Sequence, residues 1–456
     1  MLTYEQQEAV DTASNLNSRE ILKIEACAGS GKTSTLVQIA QANPKSRFLY
    51  LAFNRAIVDE AKKSFPPNVR VYTTHGLAYY WYAYTYGDER LSNIRTDLNI
   101  FDIKPLFPTL DDHELFKALV KFKEFCYNNK KSSDDDKVNE LFEAIHLGKL
   151  PLTHDFYLKS YALNYKSKFR NYEYVLLDEA QDTNDVTLDI FKDNNCRQVL
   201  VGDRHQAIYA FRGAVNALSK IKGDKTINLS SSFRSTQKIL DRANYFLKVY
   251  SKDQNIDMTS KLSGICKSKT KALITRTNFG IIDKLISLED CELKSYKLTR
   301  PSDSIFACAL SVLSLKKGSK SKVHPQYKWL KRFKSFESLK AYAKKCDDPE
   351  ISASISLVDN YGDKLYNTYK RACSLNNNLT APNTITTAHS AKGLEWDDVI
   401  LSNDFPQLDK ISSRSSYSLE QELNLYYVAI TRAKYNLLDL TLNSKEYAKY
   451  KKLIEH

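Results

Sequence analysis

The sequence has no C-x-x-C pair, although 8 cysteines are scattered over its 456 residues. No histidine stands near them at the spacing of a zinc site, so reduced thiols are expected. No apolar run approaches the roughly 20 residues that a membrane-spanning helix needs. The first residues form neither a basic region nor an apolar leader. These absences argue against a disulfide scaffold and a membrane partner, and they predict a soluble cytoplasmic protein.

Lysine and arginine outnumber aspartate and glutamate by 67 to 54, which gives a formal net charge of +13. The sequence pI is about 9.0. A basic surface favours a polyanionic partner such as nucleic acid, but it is equally compatible with an ordinary basic soluble protein. Charge therefore leaves the partner open, while the length allows two or three domains with buried cores.

Short runs rich in valine, isoleucine and leucine alternate with charged, amphipathic stretches. This pattern is typical of α/β proteins, in which helices cover both faces of a parallel sheet. One set of predicted strands would form a first sheet: 21–26, 47–53, 69–72, 174–177 and 198–201. A second set would form a second sheet: 227–229, 272–275, 384–387, 399–401 and 437–442. Two sheets imply two domains.

Two stretches, 79–150 and 319–378, break this strand pattern and are rich in lysine and tyrosine. We predict that both are mainly helical, and we interpret each as a small insertion in one of the domains. The predicted limits of the two domains follow: 1–78 with 151–226, and 227–318 with 379–456.

A phosphate-binding loop follows the first predicted strand. The sequence matches G-x-x-x-x-G-K-[ST], except that Ala26 replaces the first glycine, and a helical stretch follows. In such a loop backbone N–H groups surround phosphate oxygens, Lys32 neutralises their charge, and the Thr33 hydroxyl binds Mg²⁺. The loop residues predicted to hold the nucleotide are Ala28, Gly29, Ser30, Gly31, Lys32 and Thr33.

A pair of carboxylates ends the apolar strand 174–177. Asp178 is predicted to hold Mg²⁺, and Glu179 to orient the attacking water as a base. An isolated Asp-Glu pair is more often a helix cap. Beside a phosphate loop, however, the pair predicts a nucleoside triphosphatase that uses ATP and Mg²⁺.

These motifs, in this order, resemble those of the UvrD/Rep-like helicases of superfamily 1, and in particular the compact F-box DNA helicase branch. Leu2–Val10 is similar to the family's Q motif, which implies that Gln6 contacts adenine. Val201–Ala214 resembles motif III, which implies that Gln206 senses the γ-phosphate. The same motif implies a set of contacts to the DNA strand: Tyr209, Phe211 and Arg212.

Two further motifs supply arginines by the same resemblance. Leu229–Ser235 is similar to motif IV, so Arg234 is implied as an arginine finger and Phe233 as a ring stacked on adenine. Tyr427–Lys434 is similar to motif VI, so Arg432 is implied as the second arginine on the γ-phosphate. Loss of a finger slows hydrolysis more than it weakens nucleotide binding.

Motif V and the motifs of the DNA path complete the resemblance. Thr387–Trp396 is similar to motif V, which implies a ribose contact for Glu395 and a place near DNA for His389. Two segments after predicted strands resemble motifs Ia and Ib, which line the single strand. They add further predicted DNA contacts: Phe53, Asn54, Thr73 and His75.

The resemblance implies two RecA-like P-loop NTPase domains and an ATP-driven helicase that moves 3′→5′ on single-stranded DNA. It implies single strands and single-to-double-strand junctions as partners, action as a monomer near the nucleoid, and a place in repair, recombination or replication. Three alternatives stay open at this point. They are a translocase that strips proteins from DNA with little unwinding, an ATP-gated DNA clamp, and an RNA helicase.

Overall fold

The computed structural model describes residues 2–52, 54–165, 169–210, 213–251, 257–264, 269–346, 348–411 and 416–454. The chain forms two compact units. The first comprises Met1–Pro108, Lys117–Arg234 and Asn255–Leu262, and the second Thr109–Phe116, Ser235–Gln254 and Ser263–His456. Within the described ranges, no helix combines the length and apolar character that crossing a bilayer requires.

The strands are, in chain order, β1 Ile21–Ala26, β2 Phe48–Ala52, β3 Val69–Thr73, β4 Ile94–Arg95, β5 Leu152–Thr153, β6 Tyr174–Leu177, β7 Arg197–Gly202, β8 Lys225–Leu229, β9 Ser231–Ser232, β10 Thr259–Ser260, β11 Lys271–Thr275, β12 Tyr296–Leu298, β13 Asn383–Thr387, β14 Trp396–Leu401 and β15 Ala433–Asp439.

The α-helices are α1 Tyr4–Ser14, α2 Lys32–Ala42, α3 Arg55–Ser64, α4 Thr74–Tyr86, α5 Ile100–Ile103, α6 Asp112–Tyr127, α7 Asp136–His146, α8 His154–Asn164, α9 Asp185–Lys192, α10 Ala217–Lys220, α11 Gln237–Tyr250, α12 Asn278–Ser287, α13 Asp290–Leu293, α14 Ser302–Lys316, α15 Phe336–Cys346, α16 Pro349–Tyr361, α17 Lys364–Cys373, α18 Ala388–Ala391, α19 Ser416–Ile430 and α20 Asn443–Ile454.

The first unit is built on a parallel sheet with strand order β3-β2-β6-β7-β1-β8. Its central strands read as continuous apolar runs because helices cover both faces, and β2 and β6 are buried at every position. All five strands predicted for the first sheet lie in it. Parallel strands place their carboxyl ends at one edge, so the loops after β1, β6 and β7 meet there.

The strand predicted at 227–229 was assigned to the wrong sheet. It is part of β8, which pairs in parallel with β1, Ile24 opposite Ile227 and Ala26 opposite Leu229. As an edge strand, β8 buries only Ile227 and Leu229, and its other three residues are exposed. Such a short alternating segment indicates a strand, but it contains nothing that selects the neighbouring sheet.

The second unit contains a parallel sheet with strand order β12-β13-β11-β14-β15. The strands predicted at 272–275, 384–387 and 399–401 lie in β11, β13 and β14. The prediction of 437–442 was displaced, because β15 begins at Ala433 and ends at Asp439. The side chains of Leu440 and Leu442 are exposed, so their apolar character did not mark a buried strand. The edge strand β12 was not predicted, since its residues are only half-buried.

The stretch 79–150 holds most of α4 together with α5, α6 and α7, and the stretch 319–378 holds α15, α16 and α17. Both are thus mainly helical, as predicted. The first also contributes β4, which pairs with β5 outside the main sheet. The domain limits predicted from sequence are not those of the compact units, since the first unit continues to Arg234.

A buried lysine fastens the helical stretch of the first unit to α8. The Lys159 ammonium donates to the carbonyl oxygens of Asn128 and Lys130, both at 2.6 Å, and lies 4.3 Å from the ring centroid of Phe125. These carbonyls follow the last residue of α6, where cations are favoured. Burial lowers the pKa of Lys159 to about 8.

This pKa gives stability a defined pH dependence. Between pH 8 and the ordinary lysine value of 10.5, the unfolded chain binds the Lys159 proton while the folded chain has released it. The free energy of unfolding therefore rises with pH in this window. We expect the urea unfolding midpoint of the native chain to rise relative to that of Lys159→Met as pH rises from 8 to 10. A constant difference would contradict the prediction, and Lys149→Met on the surface is the matched control.

Candidate nucleotide site

The loop between β1 and α2 is shaped to surround an anion. Gly29 and Gly31 have φ of +75° and +78°, a left-handed conformation that strains any residue with a side chain. Gly31 directly precedes α2, and no side chain caps this helix. The first N–H groups of α2 are therefore available to phosphate oxygens at the positive end of the helix dipole.

The Ser30 side chain indicates that the loop is built for a polar ligand. Ser30 is 1% exposed, and its hydroxyl oxygen has no hydrogen-bond partner among the described residues. A buried unpaired hydroxyl is costly, so a ligand oxygen is its natural partner. Gln6 fixes the loop by donating from Nε2 to the Ser30 carbonyl at 3.1 Å. Its Oε1 accepts from the Thr3 N–H at 3.0 Å, so the predicted adenine contact stays a prediction.

Strand β6 delivers Asp178 to the same edge of the sheet. Asp178 Oδ2 accepts from the hydroxyl groups of Thr33 at 2.9 Å and Tyr50 at 2.6 Å. Burial, followed by the charge of neighbouring Glu179, raises the pKa of Asp178. A hydroxyl and a carboxylate, both hard oxygen ligands, fit Mg²⁺, and a bound cation would relieve the repulsion between the two carboxylates.

Glu179 is held in a strained conformation. Its φ is +51°, although it has a full side chain, and such outliers are concentrated at functional sites. The carboxylate accepts from Gln181 Nε2 at 2.5 Å and lies 3.9 Å from the Lys32 ammonium. Glu179 is therefore aimed at the phosphate loop, in a position to orient a water molecule.

A hydrogen-bonded chain joins Glu179 to Gln206. Gln181 donates to Glu179 through Nε2 and accepts through Oε1 from the N–H of Asp203 at 3.1 Å. Asp203 Oδ2 in turn accepts from Gln206 Nε2 at 2.7 Å. A side chain at Gly202 would meet Gln181 Oε1 at 2.3 Å, so any larger residue there would displace the Gln181 amide from this chain. Sequence reasoning placed Glu179 and Gln206 at the site but missed the residues that connect them.

The segment after β8 packs on the phosphate loop from within the first unit. Ser232 Oγ donates to the Ala28 carbonyl at 2.7 Å, and the Phe233 N–H donates to the Gly29 carbonyl at 2.9 Å. A Cβ at position 29 would lie 2.5 Å from the Cβ of Arg234. Phe233 and Arg234 thus adjoin the nucleotide loop, and their predicted roles as adenine stack and arginine finger remain predictions.

Glu5 is a further residue of this site that sequence reasoning missed. Its carboxylate accepts from both the N–H of Ser230, at 2.9 Å, and the Ser230 hydroxyl, at 2.5 Å. Glu5 therefore ties α1 to the segment that contains Arg234, one residue away from the Gln6 contact to the loop. In the sequence, only the position of Glu5 next to Gln6 indicated that it belongs to this site.

The predicted DNA contacts of the first unit separate into two groups. Asn54, His75 and Tyr209 line one cavity of about 420 Å³, which Asp178 also lines. Thr73 instead caps α4, its hydroxyl accepting from the Gly76 N–H at 2.9 Å. Three of the predicted residues lie outside the described residues: Phe53, Phe211 and Arg212.

Residues of the helical stretch complete that cavity and were not predicted. Asp97 and Lys123 form an ion pair at 2.8 Å on its wall, beside Tyr127. His75 Nε2 lies 3.9 Å from an Asp155 oxygen, and both residues line the cavity. Only the tyrosine and lysine bias of the stretch signalled these positions in the sequence.

The predicted site residues of the second unit are placed as follows. Arg432 is 1% exposed, and its guanidinium donates to the carbonyl oxygens of Val428 at 2.9 Å and Leu394 at 3.2 Å. Glu395 forms an ion pair with the Lys434 ammonium at 2.7 Å. His389 lies on the short helix α18 and is half-buried. Their roles toward nucleotide and DNA remain predictions.

A phosphate loop joined to a parallel sheet, with a carboxylate pair on a neighbouring strand, defines the class of P-loop nucleoside triphosphatases. Comparison with known proteins agrees. Residues 6–212 match the AAA domain family, and residues 288–444 match the UvrD-like helicase C-terminal domain. The chain belongs to the UvrD-like helicases and has their two RecA-like domains.

Individual relatives point to the same family. The chain is 31% identical to F-box DNA helicase protein 1 of Schizosaccharomyces pombe, over 98% of this chain and 58% of that protein. It is 27% identical to F-box DNA helicase 1 of Gallus gallus, over 96% of this chain and 49% of that protein. A shorter match, 33% over 19% of this chain and 12% of the relative, is to DNA helicase II of Escherichia coli. The chain thus spans about half the length of its two long-matching relatives.

Proposed function

We propose that the chain is an ATP-dependent DNA helicase that moves 3′→5′ along single-stranded DNA and unwinds duplex. The observation that supports this most is the connected network from the phosphate loop to Glu179 and Gln206. In this proposal the network joins the group that activates water, Glu179, to the group that senses the γ-phosphate, Gln206. The polarity and the DNA substrate rest on the family relationship.

The residues of the first unit have distinct roles in this proposal. Lys32 and the N–H groups from Gly29 to Thr33 hold the phosphates of ATP, while Thr33 and Asp178 hold Mg²⁺. The metal supplies charge neutralisation on the phosphate oxygens. Glu179 orients the attacking water and takes its proton, and Gln206 reports the phosphate state. Arg234, and Arg432 of the second unit, stabilise the charge that develops during transfer.

Tyr50 is a positioning residue for the metal ligand. Its hydroxyl donates to the same oxygen of Asp178 that Thr33 contacts. Partners in such positions typically change metal affinity by about 10- to 100-fold when they are removed. We therefore expect Tyr50→Phe to raise the Mg²⁺ concentration for half-maximal ATP hydrolysis within that range, while the rate at saturating Mg²⁺ changes little. Tyr157→Phe is the matched control, and an unchanged Mg²⁺ dependence would contradict the role.

The cavity that contains Asn54, His75 and Tyr209 is proposed to receive part of the DNA strand. Aromatic rings stack on bases of any identity at about 1–3 kcal/mol each, so a motor on such a surface needs no sequence specificity. The net charge of +13 favours a polyanion. Because Asp178 also lines this cavity, DNA and metal would bind at adjoining positions.

Steady-state ATP hydrolysis with and without single-stranded DNA tests the proposal. A strong stimulation by DNA is expected, followed by preferential unwinding of duplexes with a 3′ tail. A rate indifferent to DNA would overturn the DNA-driven motor, and preference for a 5′ tail would overturn the polarity. Matched single-stranded RNA separates DNA from RNA as the track.

Two other activities remain candidates, and each has its own readout. A translocase would displace a protein bound to the strand but leave tailed duplexes intact. A clamp would bind DNA in the presence of ATP and scarcely hydrolyse it. The strained Glu179 and its network favour turnover over clamping.

A further inference from the structure

A second polar cavity lies in the first unit, far along the sheet from the phosphate loop. It has a volume of about 700 Å³ and is lined by the loops that precede β1, β6 and β7. In a parallel sheet these loops share the amino edge, whereas the phosphate loop lies at the carboxyl edge. We call this space the basal cavity. Its size is that of a small-molecule site, and it is separate from the site described above.

Three cations line the basal cavity without an ion-pair partner among the described residues. They are Arg19, Arg170 and Lys192. Arg19 Nε donates only to the neutral amide oxygen of Asn195, at 2.7 Å. One carboxylate, Asp193, lines the same space, so positive charge predominates. Unpaired guanidinium and ammonium groups around a concave site favour phosphate or another anion.

A buried acceptor in the wall indicates that the ligand also has a hydrogen-bond donor. Gln198 is 2% exposed and lines the basal cavity, and its Oε1 has no partner among the described residues. Its Nε2 makes only a long contact of 3.4 Å to the Lys192 carbonyl. An unpaired buried carbonyl oxygen is costly to keep, so an N–H or O–H of a ligand is its expected partner.

Part of the wall is fixed and strained, although the three cations themselves are exposed. Arg19 and Phe169 have φ of +72° and +66°, although neither is glycine. The Arg19 N–H donates to the Cys196 carbonyl at 3.0 Å, and Cys196 Sγ lies 3.1 Å from the Tyr172 carbonyl. Strain of this kind persists where surrounding contacts impose it, and it is concentrated at binding sites.

We propose that the basal cavity binds a nucleotide, with the cations on its phosphate, Gln198 on an N–H group of its base, and the half-buried Tyr172 ring beside the base. This chemistry combines an anion, a donor and a flat ring in a volume that the cavity accommodates. The same chemistry is present in a free nucleotide and in the terminal residue of a nucleic-acid strand.

Calorimetric titration of the full chain with ADP tests the proposal by counting sites. The native chain is expected to bind two equivalents. Lys32→Ala removes the phosphate-loop site and should leave one, and the double variant Arg170→Ala/Lys192→Ala should also leave one. Each removed cation is expected to weaken the basal site by about tenfold. The matched control is Lys62→Ala/Lys63→Ala on the exposed face of α3, which removes equal charge and should retain both equivalents.

Gln198→Leu separates a ligand contact from a structural role. Because it removes an unpaired acceptor, it should not lower the melting temperature, yet it should weaken ADP at the basal cavity by about tenfold and leave inorganic pyrophosphate unaffected. A parallel titration uses the 5′-phosphorylated tetradeoxyadenylate. If the double variant no longer binds this tetranucleotide, the site is assigned to a strand end. One equivalent of ADP in the native chain, together with tetranucleotide binding unaffected by the double variant, would overturn the proposal and leave the helicase assignment untouched.

Discussion

Glu179→Gln is expected to lower the steady-state rate of ATP hydrolysis by about 10³-fold, within the range of roughly 10² to 10⁴ for removal of a general base. The amide retains the shape of the carboxylate but cannot accept the proton of the attacking water. The hydrogen bond between the side chains at positions 179 and 181 would survive, with the new amide turned if necessary, because Gln181 presents both a donor and an acceptor. The variant should therefore fold normally and still bind ATP.

The measurement is hydrolysis with single-stranded DNA present, together with nucleotide affinity by fluorescence. Glu173→Gln is the matched control, because Glu173 forms an exposed ion pair with Arg47 at 3.1 Å, a kind of pair that contributes little. It should hydrolyse ATP at the native rate. A Glu179→Gln variant that retains more than a tenth of the native rate would show that another group activates water.

Arg432→Ala is expected to reduce both hydrolysis and stability, a combination that distinguishes it from Arg234→Ala. Removal of the guanidinium takes one donor from each of the carbonyls of Val428 and Leu394. Leu394 is exposed, and the Val428 carbonyl still accepts from the Thr431 hydroxyl at 3.2 Å, so each lost hydrogen bond costs about 0.5–1.5 kcal/mol. We therefore expect the free energy of unfolding of the second unit to fall by about 2 kcal/mol. As an arginine finger, Arg432 would also change kcat by about 10³-fold or more.

Hydrogen exchange measured by mass spectrometry locates the loss. The Trp396 N–H donates to the Arg432 carbonyl at 3.0 Å, so β14 and β15 should exchange faster in Arg432→Ala. Arg300→Ala is the control, since Arg300 is exposed and makes one contact of 3.5 Å to the Ser304 carbonyl. If kcat falls while exchange in these strands is unchanged, the buried contacts do not stabilise the unit.

Prediction from sequence succeeded where one local pattern contained the whole signal. The strand, loop and helix around Lys32 are contiguous, and the apolar run before Asp178 is short and buried on both faces. Both sheets and both mainly helical stretches followed from such patterns. The phosphate-binding loop was likewise predicted from its glycines, and Gly29 and Gly31 lie there with φ of +75° and +78°.

Prediction failed where position depends on distant partners. β8 looked like the first strand of a new sheet, and only its pairing with β1 shows otherwise. Gln181 and Asp203 belong to different loops, so their contact at 3.1 Å has no sequence signal. The role of Arg432 was inferred from its motif, whereas one of its two carbonyl partners, Leu394, is far away in sequence. Edge strands and long-range polar contacts are therefore what the sequence left undetermined.

The placement of β1 has a consequence for how the chain is made. Both neighbours of β1 in the sheet, β7 and β8, are encoded long after it, at 197–202 and 225–229. At a synthesis rate of about 5–20 residues per second, β1 emerges roughly 10–40 s before its second partner is translated. Throughout that interval its apolar residues and unpaired N–H groups are open to other strands on the ribosome or to chaperones. A nascent chain that stalls before residue 225 would thus present an incomplete sheet that is prone to aggregate. Recombinant fragments of the first unit should therefore extend at least to Arg234.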